Sequence, residues 1–256
     1  MSELIFIGTG SAIESLNRFH SSFLIKNKNY NLLVDAGDCT SKALLSQQIN
    51  YFSIDGILFT HFHPDHFSGL CGLIVQMEIL KREKPLEIIT HNKLIPFIKD
   101  NLHLSYIYEK RLAFKINYIG FEYEESFNIC ENLTVISKNN THLNAYKIYG
   151  EEFNNYFSSS SFIFTTTDNK LLYTGDIGSE KDLYLFSGEK INYMITEITH
   201  VSTEEIINAA KKFIPEKLYL THISDSDKLK INTIIKENTK ISIPTFEAIE
   251  GLKFNL

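Results

Sequence analysis

The chain predicts an α/β protein built as a four-layer αββα sandwich, with residues 1–256 forming a single domain. Three observations carry that expectation. Short apolar runs at 4–7, 22–26, 32–35 and 57–60 alternate with helix-like stretches near 40–49 and 67–82. The second half repeats the alternation, with runs at 133–137, 144–149, 161–167, 170–175, 192–198 and 217–221 and helices near 180–186, 203–213 and 226–236. Two halves of strands and helices bury their apolar faces when sheet packs on sheet and helices cover the outside. The third observation is size: 256 residues with 43% hydrophobic content can enclose a large core in one domain. Ser202 followed by Glu205 is a capping-box pattern that starts one of these helices, and Pro215 closes it soon after Phe213. No linker rich in Pro or Gly and no strong internal repeat interrupts the pattern.

Composition narrows the setting. No run of about 18 apolar residues exists, so no membrane-spanning helix is expected. The chain enters its first apolar run at Leu4 with no basic, then apolar, leader before it, and a secretory signal is not expected. Cys39, Cys71 and Cys130 are odd in number and lack metal-ligand spacing; they read as buried small residues in a reducing compartment, which makes the cytoplasm the default. A net charge of −6 weakens general affinity for polyanions, although divalent ions would add local positive charge. The basic pieces Lys26–Lys28 and Lys81-Arg82-Glu83-Lys84 read as solvated faces, and the aromatic segment from Tyr106 to Phe127 as core or dimer packing. His20, His91 and His103 are singletons, and Ser158-Ser159-Ser160-Ser161 reads as a turn entering a strand. Gly8-Thr9-Gly10 lacks the third glycine of a dinucleotide loop, since Ile13 stands there.

The chemistry concentrates at His61-Phe62-His63-Pro64-Asp65-His66, directly after the apolar run Gly56 to Thr60. Three imidazoles and a carboxylate in six residues make a poor packing unit, because each would cost several kcal/mol if buried unpaired. At an extended strand end His61 and His63 point to the same side and can share an ion. Asp65 and His66 then turn away at the start of a helix, where they can reach a second ion. One such string cannot fill two ions. The remaining donors come from downstream: His142 after the run Leu133 to Ser137, Asp176 after Lys170 to Gly175, and His222 after Lys217 to Thr221. Each lies at the C-terminal end of an expected strand, the rim where α/β sheets gather functional groups.

These residues resemble the metallo-β-lactamase superfamily along nearly the whole chain, and within it the ribonuclease Z-like branch. The opening Leu4 to Ile7 with Gly8-Thr9-Gly10-Ser11-Ala12, then Arg18, Ser21-Ser22 and Leu33-Val34-Asp35-Ala36-Gly37-Asp38, is similar to that branch. The resemblance implies that His61, His63 and His142 hold one divalent ion and Asp65, His66 and His222 a second, with Asp176 bridging. Zn²⁺ is the first expectation and Mn²⁺ or Fe are compatible with the same donors. It also implies that Asp35 orients a ligand imidazole and that His200 donates a proton to the leaving group, with Glu197 beside it. Asp65, Glu197 and His200 are therefore the candidate catalytic residues. The pattern departs from the branch at Thr196, where a His is usual, and at Val201, which separates His200 from Ser202-Thr203.

The implied activity is hydrolysis of phosphodiester bonds by a hydroxide bridging the two ions. Ribonuclease Z enzymes that mature tRNA commonly carry a long arm between the third His and the bridging Asp. Here only residues 143–175 fill that interval and they read as strands and turns. The expected substrate is RNA or a smaller phosphodiester such as a cyclic nucleotide, and tRNA 3′ processing stays open. The same ligand set also serves lactone and thioester hydrolysis, di-iron redox chemistry, or a non-catalytic binding protein of the same fold. The resemblance adds a homodimer to these expectations, and the lack of a long apolar run leaves no membrane partner expected.

Overall fold

The computed structural model describes residues 2–150 and 155–256. The chain forms two compact units, residues 1–12, 16–122 and 249–255 in the first and 13–15, 123–248 and 256 in the second.

In the first unit, β1 (Glu3–Gly8), β2 (Ser22–Asn27) and β3 (Tyr30–Val34) run antiparallel, and α1 (Thr40–Ser46) follows. Then come β4 (Gly56–Leu58), the single turn α2 (Pro64–Phe67), α3 (Gly69–Ile79), β5 (Leu86–His91), α4 (Ile95–Leu104) and β6 (Ile116–Phe121). β3, β4, β5 and β6 pair in parallel. Parallel strands are covered on both faces, which is why Leu32, Leu33, Val34, Ile57 and Leu58 form unbroken apolar runs with no accessible surface. α3 buries Leu70, Leu73, Ile74 and Met77, the i, i+3, i+4, i+7 stripe of an amphipathic helix, against that sheet's core cluster.

The second unit opens with β7 (Ser126–Cys130) and β8 (Leu133–Asn139), followed by a short α5 (Lys147–Gly150), β9 (Ser160–Thr165) and β10 (Lys170–Tyr173). β11 (Tyr193–Glu197), α6 (Thr203–Phe213), β12 (Lys217–Thr221), α7 (Lys228–Lys240) and β13 (Thr245–Glu247) complete it. Its sheet order is β13-β12-β11-β10-β9-β8-β7, parallel from β13 to β10 and antiparallel beyond. The Ser202 hydroxyl accepts from the Glu205 amide at 3.2 Å, so the expected cap forms, and the helix ends in a left-handed Ile214 just before Pro215. A last strand, β14 (Lys253–Asn255), returns to the first sheet and pairs with β1.

Several expectations are corrected. The run 144–149 is helical: β8, which it follows, is already flanked by β7 and β9, and the chain leaves it as a 3₁₀ segment, His142–Tyr146, that leads into α5. The helix expected over 67–82 breaks at Ser68, and the one near 180–186 is a 3₁₀ segment, Glu180–Tyr184, closed by a Ser179–Asp182 capping box. Arg82 is not on a solvated face: at 1% accessibility it donates to the carbonyls of Tyr51, Ile54, Lys84 and Pro85, which close off the start of β5. The cysteines are not buried; Cys39 is exposed and Cys71 and Cys130 are half-buried. In the aromatic segment Phe114 and Phe121 are core residues, whereas Tyr106 and Tyr108 are exposed. No described helix is long and apolar enough to cross a membrane.

Candidate metal centre

In the first unit the donors emerge just past β4. Phe59 and Thr60 leave the sheet, His61 is fully buried, and His63 caps α2 with Pro64 at the first helical position. The His61 and His63 rings lie 4.7 Å apart, edge to face, so the same-side reading of the pair holds. Asp65 and His66 follow in the first turn of α2, with His66 Nε2 at 3.4 Å from Asp65 Oδ2 and its ring 4.3 Å from that of His61.

A buried carboxylate organises this string. Asp35, with no accessible surface, accepts from the Thr60 amide at 2.8 Å and from the Thr60 hydroxyl at 2.9 Å. It also accepts from His66 Nδ1 at 2.8 Å. Burial pushes the Asp35 carboxyl up, while His66 and the Thr60 hydrogen bonds pull it down. With Nδ1 committed to Asp35, Nε2 is the nitrogen His66 turns towards Asp65. The backbone at Asp35 is left-handed, at φ +61°. That conformation costs about 1–2 kcal/mol for an ordinary residue and less for Asp. Gly37 lets this loop close on α2, since a Cβ there would stand 1.9 Å from the Asp65 carbonyl oxygen.

In the second unit the donors come from four separate strand ends. His142 begins the turn after β8, Asp176 follows β10, Glu197 ends β11 with His200 three residues on, and His222 follows β12. Asp176 Oδ2 lies 3.2 Å from His222 Nε2 and 3.8 Å from His142 Nε2, so one carboxylate stands between two imidazoles. The His142 and His200 rings are 5.0 Å apart, and those of His200 and His222 5.7 Å. Ligand atoms of His142, Asp176 and His200 fall within 4.8 Å of one another, as do those of Glu197, His200 and His222. These are groups able to hold a metal ion.

Glu197 is the second unit's organising carboxylate. It accepts from the amides of Ile177, Thr199 and His200 and from His200 Nδ1 at 2.8 Å, while only 1% accessible. The His200 side chain, 36% accessible, is thereby fixed with Nδ1 inward. Lys230 on α7 holds the same loop by donating to the Ile198 and Val201 carbonyls. Asp182 plays a related part beneath His142 and Asp176: its Oδ2 accepts from Thr141 N, Gly178 N and Ser179 N and from the Thr141 hydroxyl. His222, like Asp35, is left-handed, at φ +57°.

Residues 2–240 match the family described as Anti-Pycsar protein Apyc1. The chain belongs to that family. Ribonuclease Z of Aeropyrum pernix is 35% identical over 115 residues, covering 44% of this chain and 36% of that relative, so the match spans little more than a third of the relative's length. Two solved structures superpose over the chain. The metallo-β-lactamase fold protein YhfI from Bacillus subtilis does so with TM-score 0.79 and 18% identity, covering 100% of both chains. The short form of human tRNase Z does so with TM-score 0.72 and 20% identity, covering 99% of this chain and 98% of that one. The two superpositions give the chain the αββα fold of metallo-β-lactamase fold proteins, and the partial match to ribonuclease Z is a similarity over part of the chain.

All nine residues singled out from the sequence are placed where their own unit gathers donors. Sequence reasoning missed Thr60, Thr199 and Asp182. The first two adjoin His61 and His200, and a hydroxyl residue next to a candidate donor was the available signal.

Proposed function

We propose that the protein is a metal-dependent phosphodiesterase whose working unit is the whole of residues 1–256, acting on a small nucleotide diester. In this reading His61, His63 and His142 would hold one divalent ion and Asp65, His66 and His222 a second, with the Asp176 carboxylate available to both. The donor set fits such ions: imidazole nitrogens and carboxylates suit zinc foremost, with manganese or iron compatible. The hydrogen bonds that engage Nδ1 of His61, His66 and His222 fix which nitrogen would ligate. When bound, the ions supply positive charge that activates a water and offsets charge developing on the phosphoryl oxygens.

The observation that carries the reading is the Glu197–His200 pair beside Asp176 and His222. Glu197 fixes His200 by Nδ1, so the proton transferred to a departing oxygen is the one on Nε2. Protonating the leaving oxygen matters for a diester with an alkoxide leaving group, and a positioned acid of this kind contributes roughly 10²–10⁴-fold. Two features support a small substrate: the interval 143–175 encodes no tRNA-gripping arm, and the net charge is −6. The resemblance adds a homodimer, and the composition a cytoplasmic setting, to be checked by sedimentation and fractionation.

The test compares zinc-loaded protein on a cyclic mononucleotide, bis-p-nitrophenyl phosphate, a 3′-extended tRNA precursor and a lactone. Turnover of the first two alone is the expected result. Cleavage of the tRNA at its 3′ end would replace the small-substrate reading with tRNA processing, and turnover of only the lactone would remove phosphodiester chemistry.

A further inference from the structure

We propose that Thr60 and Thr199 are a matched pair of positioning residues, one in each unit, whose hydroxyls fix the tautomer of the metal-ligand histidines His61 and His222. The inference rests on the metal-centre reading above and deepens it.

The hydrogen bonding permits one consistent assignment in each unit. In the first, Thr60 Oγ1 lies 2.9 Å and 3.1 Å from the two oxygens of Asp35 and 3.0 Å from His61 Nδ1. A hydroxyl has one proton to give, and a carboxylate that is collecting N–H donors takes it. Thr60 therefore accepts from His61, which puts the proton on Nδ1 and the lone pair on Nε2. In the second unit Thr199 Oγ1 donates to the His222 carbonyl at 2.8 Å, so its contact with His222 Nδ1 at 3.0 Å must be one in which Nδ1 donates. Again Nε2 carries the lone pair, and in His222 that nitrogen is the one 3.2 Å from Asp176.

Both hydroxyls are themselves held. The Thr60 amide is tied to Asp35 and the Thr199 amide to Glu197, at 2.8 and 2.9 Å. Each unit thus contains a buried carboxylate, a threonine bound to it by its amide, and a histidine bound to the threonine by Nδ1. The units differ in where the hydroxyl proton goes, to the carboxylate in one and to the histidine's own carbonyl in the other. In both, a threonine stands where a carboxylate or backbone carbonyl commonly contacts a metal-bound imidazole.

The experiment uses the full chain stripped of metal and titrated with zinc alone. Zinc affinity is measured by competition with a chromophoric chelator for the wild type and for Thr60→Val, Thr60→Ser, Thr199→Val and Thr199→Ser. Each valine variant is expected to bind at least one zinc about 10–100-fold more weakly, as for other partners of metal-ligand histidines. Each serine variant, which restores the hydroxyl, is expected to stay near wild type. Equal losses for valine and serine, or none for valine, would overturn the proposal. Imidazole ¹⁵N spectra of the zinc-loaded wild type provide a readout that does not depend on any variant folding. A protonated Nδ1 on both His61 and His222 is expected, and an unprotonated Nδ1 on either would overturn the proposal for that residue. A wild type that binds no zinc would remove the metal-centre reading itself, a result distinct from any of these.

Discussion

The two units gather their candidate donors by different routes. The first unit takes His61, His63, Asp65 and His66 from a single strand-to-helix junction, and only Asp35 comes from elsewhere in its sheet. The second collects His142, Asp176, His200 and His222 from the ends of β8, β10, β11 and β12. Contiguity makes the first set rigid through one short loop. Dispersion makes the second depend on sheet register, and the parallel pairing of Glu197 with Thr221 is what brings β11's end level with that of β12. Around each set the same trio recurs: a buried carboxylate, a threonine and a histidine. Local sequence and long-range pairing therefore converge on the same supporting trio, and in the proposed reading the dispersed unit has the further task of presenting His200.

The comparison breaks most visibly at Asp176, the residue through which the dispersed set is proposed to join both ions. Asp176→Ala is expected to lose several kcal/mol of transition-state stabilisation, about 10³-fold or more in turnover of bis-p-nitrophenyl phosphate. Bound metal should fall with it while thermal unfolding stays cooperative. Retained activity with full metal content would remove Asp176 from the centre.

His200→Ala separates the dispersed unit's extra task from ligation. Metal content should match wild type. Turnover should fall by roughly 10²–10⁴-fold on a diester with an alkoxide leaving group. The loss should be much smaller on bis-p-nitrophenyl phosphate, whose leaving group departs without a proton. Equal losses on the two substrates would mean that His200 positions substrate or metal instead of giving a proton.

Asp35→Asn tests the contiguous unit with little disturbance of the chain. Asparagine tolerates the left-handed backbone at this position, so the change removes charge and acceptor capacity while keeping shape. Zinc affinity is expected to weaken by about 10–100-fold, measured by chelator competition. An unchanged affinity would show that the string 61–66 holds its geometry without Asp35.

How much of this was legible in the sequence follows from the same contrast. The string His61 to His66 could be read at once because its donors are local and their density is unusual. His142, Asp176 and His222 could be read only as ends of apolar runs, and their meeting needed a resemblance, because strand order cannot be read from any one segment. β5, β6, β7, β13 and β14 fall outside the apolar runs read as strands; among the described residues β7 pairs with β8 alone, and Ser126 to Cys130 is at most half-buried, so its own composition does not announce a strand. The run 144–149 misled for the converse reason, an apolar composition in a segment that follows β8 as a helical turn. Arg82 looked like a surface charge because sequence cannot show four backbone carbonyls converging on a guanidinium. Thr60 and Thr199 stayed hidden because a threonine beside a histidine is common and gains meaning only from the 3.0 Å contact.

The smallest effect expected concerns a first-unit histidine that binds no metal in this account. His91 is buried at the end of β5, and its Nδ1 accepts from the Lys93 amide at 3.2 Å while Nε2 faces Glu122 at 3.4 Å. Burial pushes its pKa down, with Glu122 acting the other way and Lys93 adding a smaller push downward. A group whose folded-state pKa is depressed below the ordinary value near 6.5 prefers to be neutral in the fold. For a histidine that preference contributes stability above pH 6.5, and the contribution is lost as pH falls towards the folded-state value. Protonation would also convert Nδ1 from acceptor to donor and break the contact with the Lys93 amide. His91→Asn keeps an acceptor at the start of this turn and removes the titration. Melting temperatures at pH 7.5 and 5.5 should therefore differ less in His91→Asn than in wild type, with metal affinity at pH 7.5 unchanged. An identical pH dependence in the two proteins would place the acid sensitivity elsewhere, and a fall in metal affinity would tie His91 to the centre after all.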